Sequence, residues 1–153
     1  MNRTPRQRDE RGSVSVLILG LTMIAAVLIA GTIAVTSAHL SRMRLLDVAD
    51  GAALSAANAL DASAYREGVG QSVPVSNASV REEAARYVGS RPRPGSITAW
   101  RLGPETGSPD GATAVVTLTG EAQLPLVGGV LRSLGVSITI SVRSEARADL
   151  VVP

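Results

Sequence analysis

Residues 14–35 read VSVLILGLTMIAAVLIAGTIAV and lie within a longer stretch, residues 12–41, that contains no Asp, Glu or Arg. As a helix, the quoted stretch is about 33 Å long at ~1.5 Å per residue, close to the roughly 30 Å of a bilayer hydrocarbon core. A chain of 153 residues is too short to surround such a helix with protein on all sides. The stretch therefore predicts a transmembrane helix, assigned to residues 14–38, and argues against a buried helix of a soluble protein.

The flanks of this helix predict its orientation. Residues 1–13 contain four Arg, whereas only Arg42 and Arg44 follow the helix closely. The positive-inside bias places residues 1–13 in the cytoplasm as a basic tail and the remainder outside the cytoplasmic membrane. The alternative is a signal peptide cleaved after Ala38, before His39. The apolar stretch is longer than the ~7–15 residues usual for signal peptides, which favours a single-pass anchor.

Helical periodicity continues beyond the apolar stretch. Residues 39–61 contain no Pro, and their apolar side chains recur on one face of a helix. That face consists of Leu45, Ala49, Ala52, Ala53, Ala56 and Leu60. We expect one spine from about residue 14 to residue 60, roughly 70 Å long.

Two sets of residues on this spine are candidates for packing against other subunits. Small side chains recur every fourth residue in the apolar part, and such stripes allow close helix–helix packing in lipid. They are Thr22, Ala26, Ala30, Ala34 and Ala38. The second set is a partner-facing surface on the Ala-rich part, formed by Asp47, Asp50, Ala53 and Ala57. Arg44 and Asp47, three residues apart, are expected to pair.

The composition excludes several classes of site. The chain has no Cys and one His, so a Cys-based metal centre, a thiolate nucleophile and a His cluster are absent. Asp47 and Asp61 lie too far apart to form a carboxylate site with Asp50, and no Gly-x-Ser-x-Gly or phosphate-binding motif is present. We expect no enzyme activity, no catalytic residues, no cofactor and no metal. The net charge of +2 and the single Trp give no support for a specific nucleic-acid partner or a small-molecule substrate.

The ends of the spine resemble those of a known family. Arg11, Gly12 and Ser13 open the apolar helix, and residues 45–54, LLDVADGAAL, close it. In this order the two motifs resemble the TadE/TadG-like proteins of tight-adherence (Flp-type) pilus systems, in their short actinobacterial form. The resemblance covers residues 11–60 well and the remainder only in size and β-rich character.

This resemblance implies a function. It implies a non-catalytic membrane protein that acts as a minor pilin or an assembly component and packs with other pilus subunits as a hetero-oligomer. It also marks Gly12 and Ser13 as a candidate processing site. In prepilins cut by the dedicated peptidase, the cleavage site looks like a Gly followed five residues later by a Glu. In this chain the residue five positions after Gly12 is Leu17, and this departure from the pattern favours an anchored assembly component. Without the resemblance, Ser13 is simply the expected N-cap of the helix. The alternative function is a secreted or anchored extracellular binding or adhesion module.

The remaining residues predict a small α+β domain. Residues 62–78 are expected to form a linker with a short strand at residues 73–75, followed by a domain at residues 79–153. Ser79 and Glu82 form a capping box for a short helix that ends at Gly89. Residues 97–102, 112–122 and 136–146 are expected strands. In the second strand one face carries Ala114, Val116 and Leu118 and the other carries Thr113, Val115, Thr117 and Thr119. In the third strand Val136, Ile138, Ile140 and Val142 alternate with a solvated face of Ser137, Thr139, Ser141 and Arg143. The fold class is therefore α+β and pilin-like, with a three- or four-strand antiparallel meander.

One segment of this domain remains ambiguous in the sequence. Residues 124–135, LPLVGGVLRSLG, are apolar but are interrupted by Pro125 and by Gly128 and Gly129. They either pack on the sheet as part of the core or form an exposed patch that meets a partner. We favour the core, because a domain with no Phe needs most of its Leu and Val side chains inside.

Overall fold

A computed structural model shows the fold of the chain and describes residues 10–66, 76–125, 128–133 and 137–147. Its first element is α1 (Glu10–Arg66), an uninterrupted helix of 57 residues, about 85 Å long at ~1.5 Å per residue. The long spine is confirmed, but it begins four residues earlier and ends six residues later than expected. Because α1 already starts at Glu10, Ser13 lies inside the helix and is not its N-cap.

The second helix, α2 (Asn77–Ser90), begins three residues before the expected position. Its N-cap is Ser76, whose hydroxyl oxygen accepts the backbone N–H of Ser79 at 3.0 Å. The predicted capping box is therefore wrong: Ser79 occupies the third helical position, and Glu82 pairs with Arg86 at 3.6 Å. The strand expected at residues 73–75 lies outside the described residues.

The three strands form one antiparallel sheet in the order β1-β2-β3, as the meander prediction requires. They are β1 (Ile97–Leu102), β2 (Thr113–Ala122) and β3 (Ile138–Arg147). A short helix, α3 (Gly128–Ser133), lies between β2 and β3. In the segment left open by the sequence, Leu124 is buried whereas Pro125 and Gly129 are exposed.

One face of the sheet packs on the second half of α1, and α2 packs beside it. The α+β core combines small side chains of α1 with branched side chains of α2 and the sheet. Its fully buried members include Leu45, Ala49, Ala52, Ala53, Ala56, Val80, Ala84, Val116 and Leu118. These α1 residues are those that the helical periodicity predicted, apart from Leu60, whose side chain is outside the described part.

Close approach within this core depends on two glycines. A Cβ atom at Gly51 of α1 would lie 2.6 Å from Cζ of Tyr87, so the Tyr87 ring can cross α1 only where no side chain stands. A Cβ atom at Gly120 of β2 would lie 3.2 Å from methyl groups of both Ile97 and Leu45. The glycines therefore let α2 and the sheet pack tightly against the spine.

The other face of the sheet is partly covered by the loop between β1 and β2. Gly107 exchanges two backbone hydrogen bonds with Val115, of 2.8 and 2.9 Å. The Thr106 hydroxyl donates to the Thr117 carbonyl at 3.2 Å. Val115 is consequently buried, although its place in the alternating pattern put it on the polar face.

This loop ends in a turn built by Asp110 and Gly111. The Asp110 carboxylate accepts hydrogen bonds from the Thr113 hydroxyl at 2.6 Å and from the backbone N–H groups of Ala112 and Thr113. Donation to the ionised form stabilises it, and these bonds, led by the Thr113 hydroxyl, lower the pKa of Asp110 to about 2. Gly111 has φ 69°, a conformation that glycine adopts without steric cost.

Candidate membrane anchor and helix-packing surfaces

The first half of α1 is the candidate membrane anchor. Within the described residues it is the one helix long and apolar enough to cross a bilayer, and its most apolar window has mean hydropathy 2.6 with no part buried by protein. Its large side chains are exposed, for example Leu21 at 67% and Ile24 at 60%. A surface of this kind is stable in lipid and costly in water.

Two threonine hydroxyls inside this apolar region form hydrogen bonds within the helix. The Thr22 hydroxyl donates to the Ile18 carbonyl at 2.8 Å, and the Thr32 hydroxyl donates to the Leu28 carbonyl at 2.9 Å. Because lipid offers no hydrogen-bond partner, such bonds back to residue i−4 remove the main penalty of placing Thr in a membrane. The side chains of this region therefore fit a hydrocarbon environment.

The five small residues of the predicted stripe all lie on accessible surface of α1. Thr22 and Ala26 are exposed, and Ala30, Ala34 and Ala38 are half-buried. Successive positions four residues apart rotate by about 40° around an α-helix, so the stripe winds around α1 as it rises. None of the described residues covers Thr22 or Ala26, so this part of the stripe is accessible to another helix.

The residues of the proposed processing site lie near the start of α1. Gly12 is exposed and within the helix, and no atom lies within 4 Å of the position that a Cβ atom would take there. The side chain of Ser13 is outside the described part. The geometry leaves room around Gly12.

The structure separates the four residues expected to face a partner. Asp47 and Asp50 are exposed, but Ala53 and Ala57 are 0% and 2% exposed and pack in the core of this same chain. The two alanines are therefore covered by α2 and the sheet of the same chain. Of the predicted partner-facing surface, only the two carboxylates and their exposed neighbours remain accessible. The sequence did not reveal where α2 would pack on α1.

The expected ion pair between Arg44 and Asp47 is not formed. Arg44 instead donates to the hydroxyl oxygen of Ser96 at 3.3 Å, which ties α1 to the segment before β1. A second contact that sequence reasoning missed joins the helices, where Ser55 of α1 donates to a Glu83 carboxylate oxygen of α2 at 3.1 Å. Both contacts join residues far apart in the chain, and no local pattern marks them.

A cleft of about 370 Å³ lies where the N-terminus of α2 meets the loop between β1 and β2. Arg81 spans it and donates to the carbonyl oxygens of Pro104 at 2.7 Å and Thr106 at 3.2 Å. Ser108 lines the cleft, and its buried hydroxyl oxygen has no hydrogen-bond partner among the described residues. Among the described residues, His, Asp and Glu side chains do not gather in groups of three that could hold a metal.

Comparison with known proteins adds evidence for the N-terminal part of the chain. Residues 12–64 match the Tad family model, described as "Putative Flp pilus-assembly TadE/G-like". The resemblance is confirmed. The matched segment corresponds closely to α1 (Glu10–Arg66), so the family similarity resides in the anchor and the spine.

No curated protein and no solved structure matches the chain. The family match and the long apolar helix together support a membrane protein related to Flp pilus assembly.

Proposed function

We propose that this protein is a non-catalytic, single-pass subunit of a tight-adherence pilus system, a minor pilin or an assembly component. Residues 1–13 lie in the cytoplasm, and the α+β domain lies outside the membrane. One observation carries the proposal: α1 is a single helix whose first half is an exposed apolar surface and whose second half is the centre of the folded domain. Any partner that binds the first half is thereby rigidly connected to the outer domain.

The proposed mechanism is packing between membrane helices. In lipid, helices associate through close van der Waals contact, and small residues four apart let two backbones approach. The stripe from Thr22 to Ala38 supplies such a surface, and a right-handed crossing near −40° is the usual result for small residues at this spacing. The partners would be other membrane subunits of the pilus system.

The outer domain would contribute a second contact. Asp47 and Asp50 are exposed on α1, as is Leu54 at 56%. Neither carboxylate forms an ion pair within the described part of the chain. A neighbouring subunit with basic residues at this height above the membrane would pair with them without breaking an existing bond.

Disulfide cross-linking tests the packing surface, because the chain has no native Cys. Ala30→Cys places a thiol on the stripe, and Leu28→Cys places one about 160° away around the helix by the ~100° rotation per residue. We expect oxidation in native membranes to cross-link Ala30→Cys to a second copy, or to a partner subunit that carries a Cys introduced at the facing position, and to leave Leu28→Cys largely monomeric. Equal cross-linking of the two variants would remove the stripe from the proposal.

The mature N-terminus tests the role of the chain. Mass spectrometry of membrane and sheared-surface fractions should find a chain starting at Met1 or Asn2 in the membrane if it is an anchored assembly component. A start at Ser13 in the sheared fraction would identify a processed minor pilin. A start at His39 in the medium would contradict both forms of the proposal and leave a secreted domain.

A further inference from the structure

The topology places one end of the domain next to the membrane. Val80 of α2 packs with Ala56 and Ala57 of α1, whereas Tyr87 lies over Gly51. The two helices are therefore antiparallel, and α2 descends toward the apolar half of α1. The segment after α2, residues 91–96, ends at the level of Arg44, to which Ser96 is hydrogen-bonded.

The same end collects the start of β1 and the end of β2. The backbone N–H of Gln123 donates to the Ser96 carbonyl at 2.8 Å, and that of Ile97 donates to the Pro94 carbonyl at 2.9 Å. Arg44 lies six residues beyond Ala38, about 9 Å along the helix axis. If α1 spans the membrane, as the proposed function requires, this end of the domain faces the lipid headgroups.

Three arginines are exposed at this end. Arg42 and Arg44 project from α1, and Arg93 belongs to the segment between α2 and β1. None of the three forms an ion pair with a described carboxylate, whereas Arg86 and Arg143 each have two. We call this group the membrane-proximal arginines.

Two of these side chains are held by neutral groups, since Arg44 donates to the Ser96 hydroxyl oxygen and Arg93 donates to the Thr98 carbonyl. Arg91 does not belong to this end, because it donates to the Tyr87 hydroxyl oxygen over Gly51, about two helical turns further from the membrane than Arg44. The nearest carboxylates along their elements are Asp47, one turn above Arg44, and Glu121, opposite Ala99 in the sheet, and neither pairs with this group.

We propose that the membrane-proximal arginines bind the phosphate groups of anionic phospholipids and hold the outer domain against the membrane surface. The long side chains of Arg42 and Arg44 can extend along the helix toward the headgroups, and a guanidinium binds phosphate oxygens in a bidentate manner. The contact would fix the depth of α1 in the bilayer. It does not depend on which side of the membrane carries the domain.

Energy transfer from Trp100 tests this contact in the full chain, because Trp100 is the single Trp. The chain is reconstituted into phosphatidylcholine vesicles that contain either dansyl-labelled phosphatidylglycerol or dansyl-labelled phosphatidylcholine. We expect greater transfer to the anionic lipid at low salt, and equal transfer to the two lipids at high salt. Each arginine should contribute about fivefold to the preference, the equivalent of about 1 kcal/mol.

Matched variants identify the arginines responsible. Arg44→Gln combined with Arg93→Gln should remove most of the excess transfer. Arg42→Gln, which breaks no contact among the described residues, should remove part of it. Arg101→Gln combined with Arg147→Gln removes the same charge elsewhere on the sheet and should leave the excess unchanged. An unaltered Trp100 emission spectrum shows that each variant is folded.

Three results would overturn the proposal: equal transfer to both lipids in the unmodified chain, an excess that survives Arg44→Gln with Arg93→Gln, or an equal loss in the control variant. If inorganic phosphate cancels the excess where chloride of equal ionic strength does not, the arginines bind free phosphate and the lipid assignment is wrong. Release of the chain from vesicles by alkaline carbonate would instead contradict the membrane anchor itself.

Discussion

The two halves of α1 share a backbone conformation and an apolar composition but differ in what surrounds them. Leu21 in the first half is 67% exposed, and Leu45 in the second half is 0% exposed. The first half has large side chains around its circumference, whereas the second half presents a row of alanines to the sheet and to α2. One helix thus serves as a lipid-facing anchor at one end and a protein core at the other.

The size of the side chains accounts for this difference. Alanines at positions 49, 52, 53, 56 and 57 lie under branched residues of the sheet and of α2. Small side chains on the helix let the other elements approach until Val116 and Leu118 are fully buried. A domain with no Phe reaches close packing by approach of its backbones and not by the bulk of its side chains.

The largest effect should come from truncating the same residue type in each half. Leu45→Ala leaves a cavity in the centre of the core and should lower the free energy of unfolding of the domain by about 2–5 kcal/mol. Leu21→Ala, made at an exposed position of the same helix, should change it by less than about 0.5 kcal/mol. Urea unfolding in detergent, followed by Trp100 fluorescence, measures both. Similar losses in the two variants would show that the halves of α1 are not energetically distinct.

A smaller effect is expected from a pair of glycines. Gly51→Ala would overlap the Tyr87 ring and should destabilise the domain by about 1–3 kcal/mol. Gly20→Ala has nothing within 4 Å of the new methyl group and should be neutral or raise helix stability by up to ~1 kcal/mol. The same unfolding measurement compares them. If the contact with Tyr87 causes this loss, Gly51→Ala should cost little stability in a chain that already carries Tyr87→Leu. An equal loss of stability with and without Tyr87→Leu would refute this explanation.

The N-cap of α2 gives the third test. Ser76→Ala removes the acceptor of the Ser79 N–H and should cost about 1 kcal/mol, typical for the loss of an N-cap. Ser79→Ala keeps the capping oxygen and should cost less than half as much. A larger loss for Ser79→Ala would restore the capping box that the sequence predicted and contradict the start of α2 at Asn77.

Local periodicity explains what could be predicted from the sequence. The recurrence of apolar residues every three or four positions predicted the long helix and its buried face. The alternation of apolar and polar residues in β3 placed Ile138, Ile140 and Val142 inward. Both patterns depend only on neighbours along the chain.

The errors arose where distant segments meet. Val115 is buried because the loop with Gly107 returns over the outer face of the sheet. Ala53 and Ala57 are covered because α2 packs on that side of α1. The start of α2 was misplaced because Ser76 and Ser79 are both good caps, and only the folded geometry selects between them.

The smallest effect concerns Asp110, at the end of the domain opposite to the anchor. Its pKa of about 2 lies below the ordinary value of 3.8. A carboxyl whose pKa is lowered by folding adds stability that is present above the unfolded pKa and is lost as pH falls through the folded value, here between about 4 and about 2. Carboxyl NMR should give a midpoint near 2 in both detergent and lipid nanodiscs, because the bonds to Ala112 and Thr113 are local to the turn. Thr113→Val removes the leading hydrogen bond and should raise the midpoint toward the ordinary value. A midpoint that differs between detergent and nanodiscs would mean that the environment of the anchor changes the pKa of Asp110 at the far end of the domain. The sharp division between the two halves of α1 would then not hold.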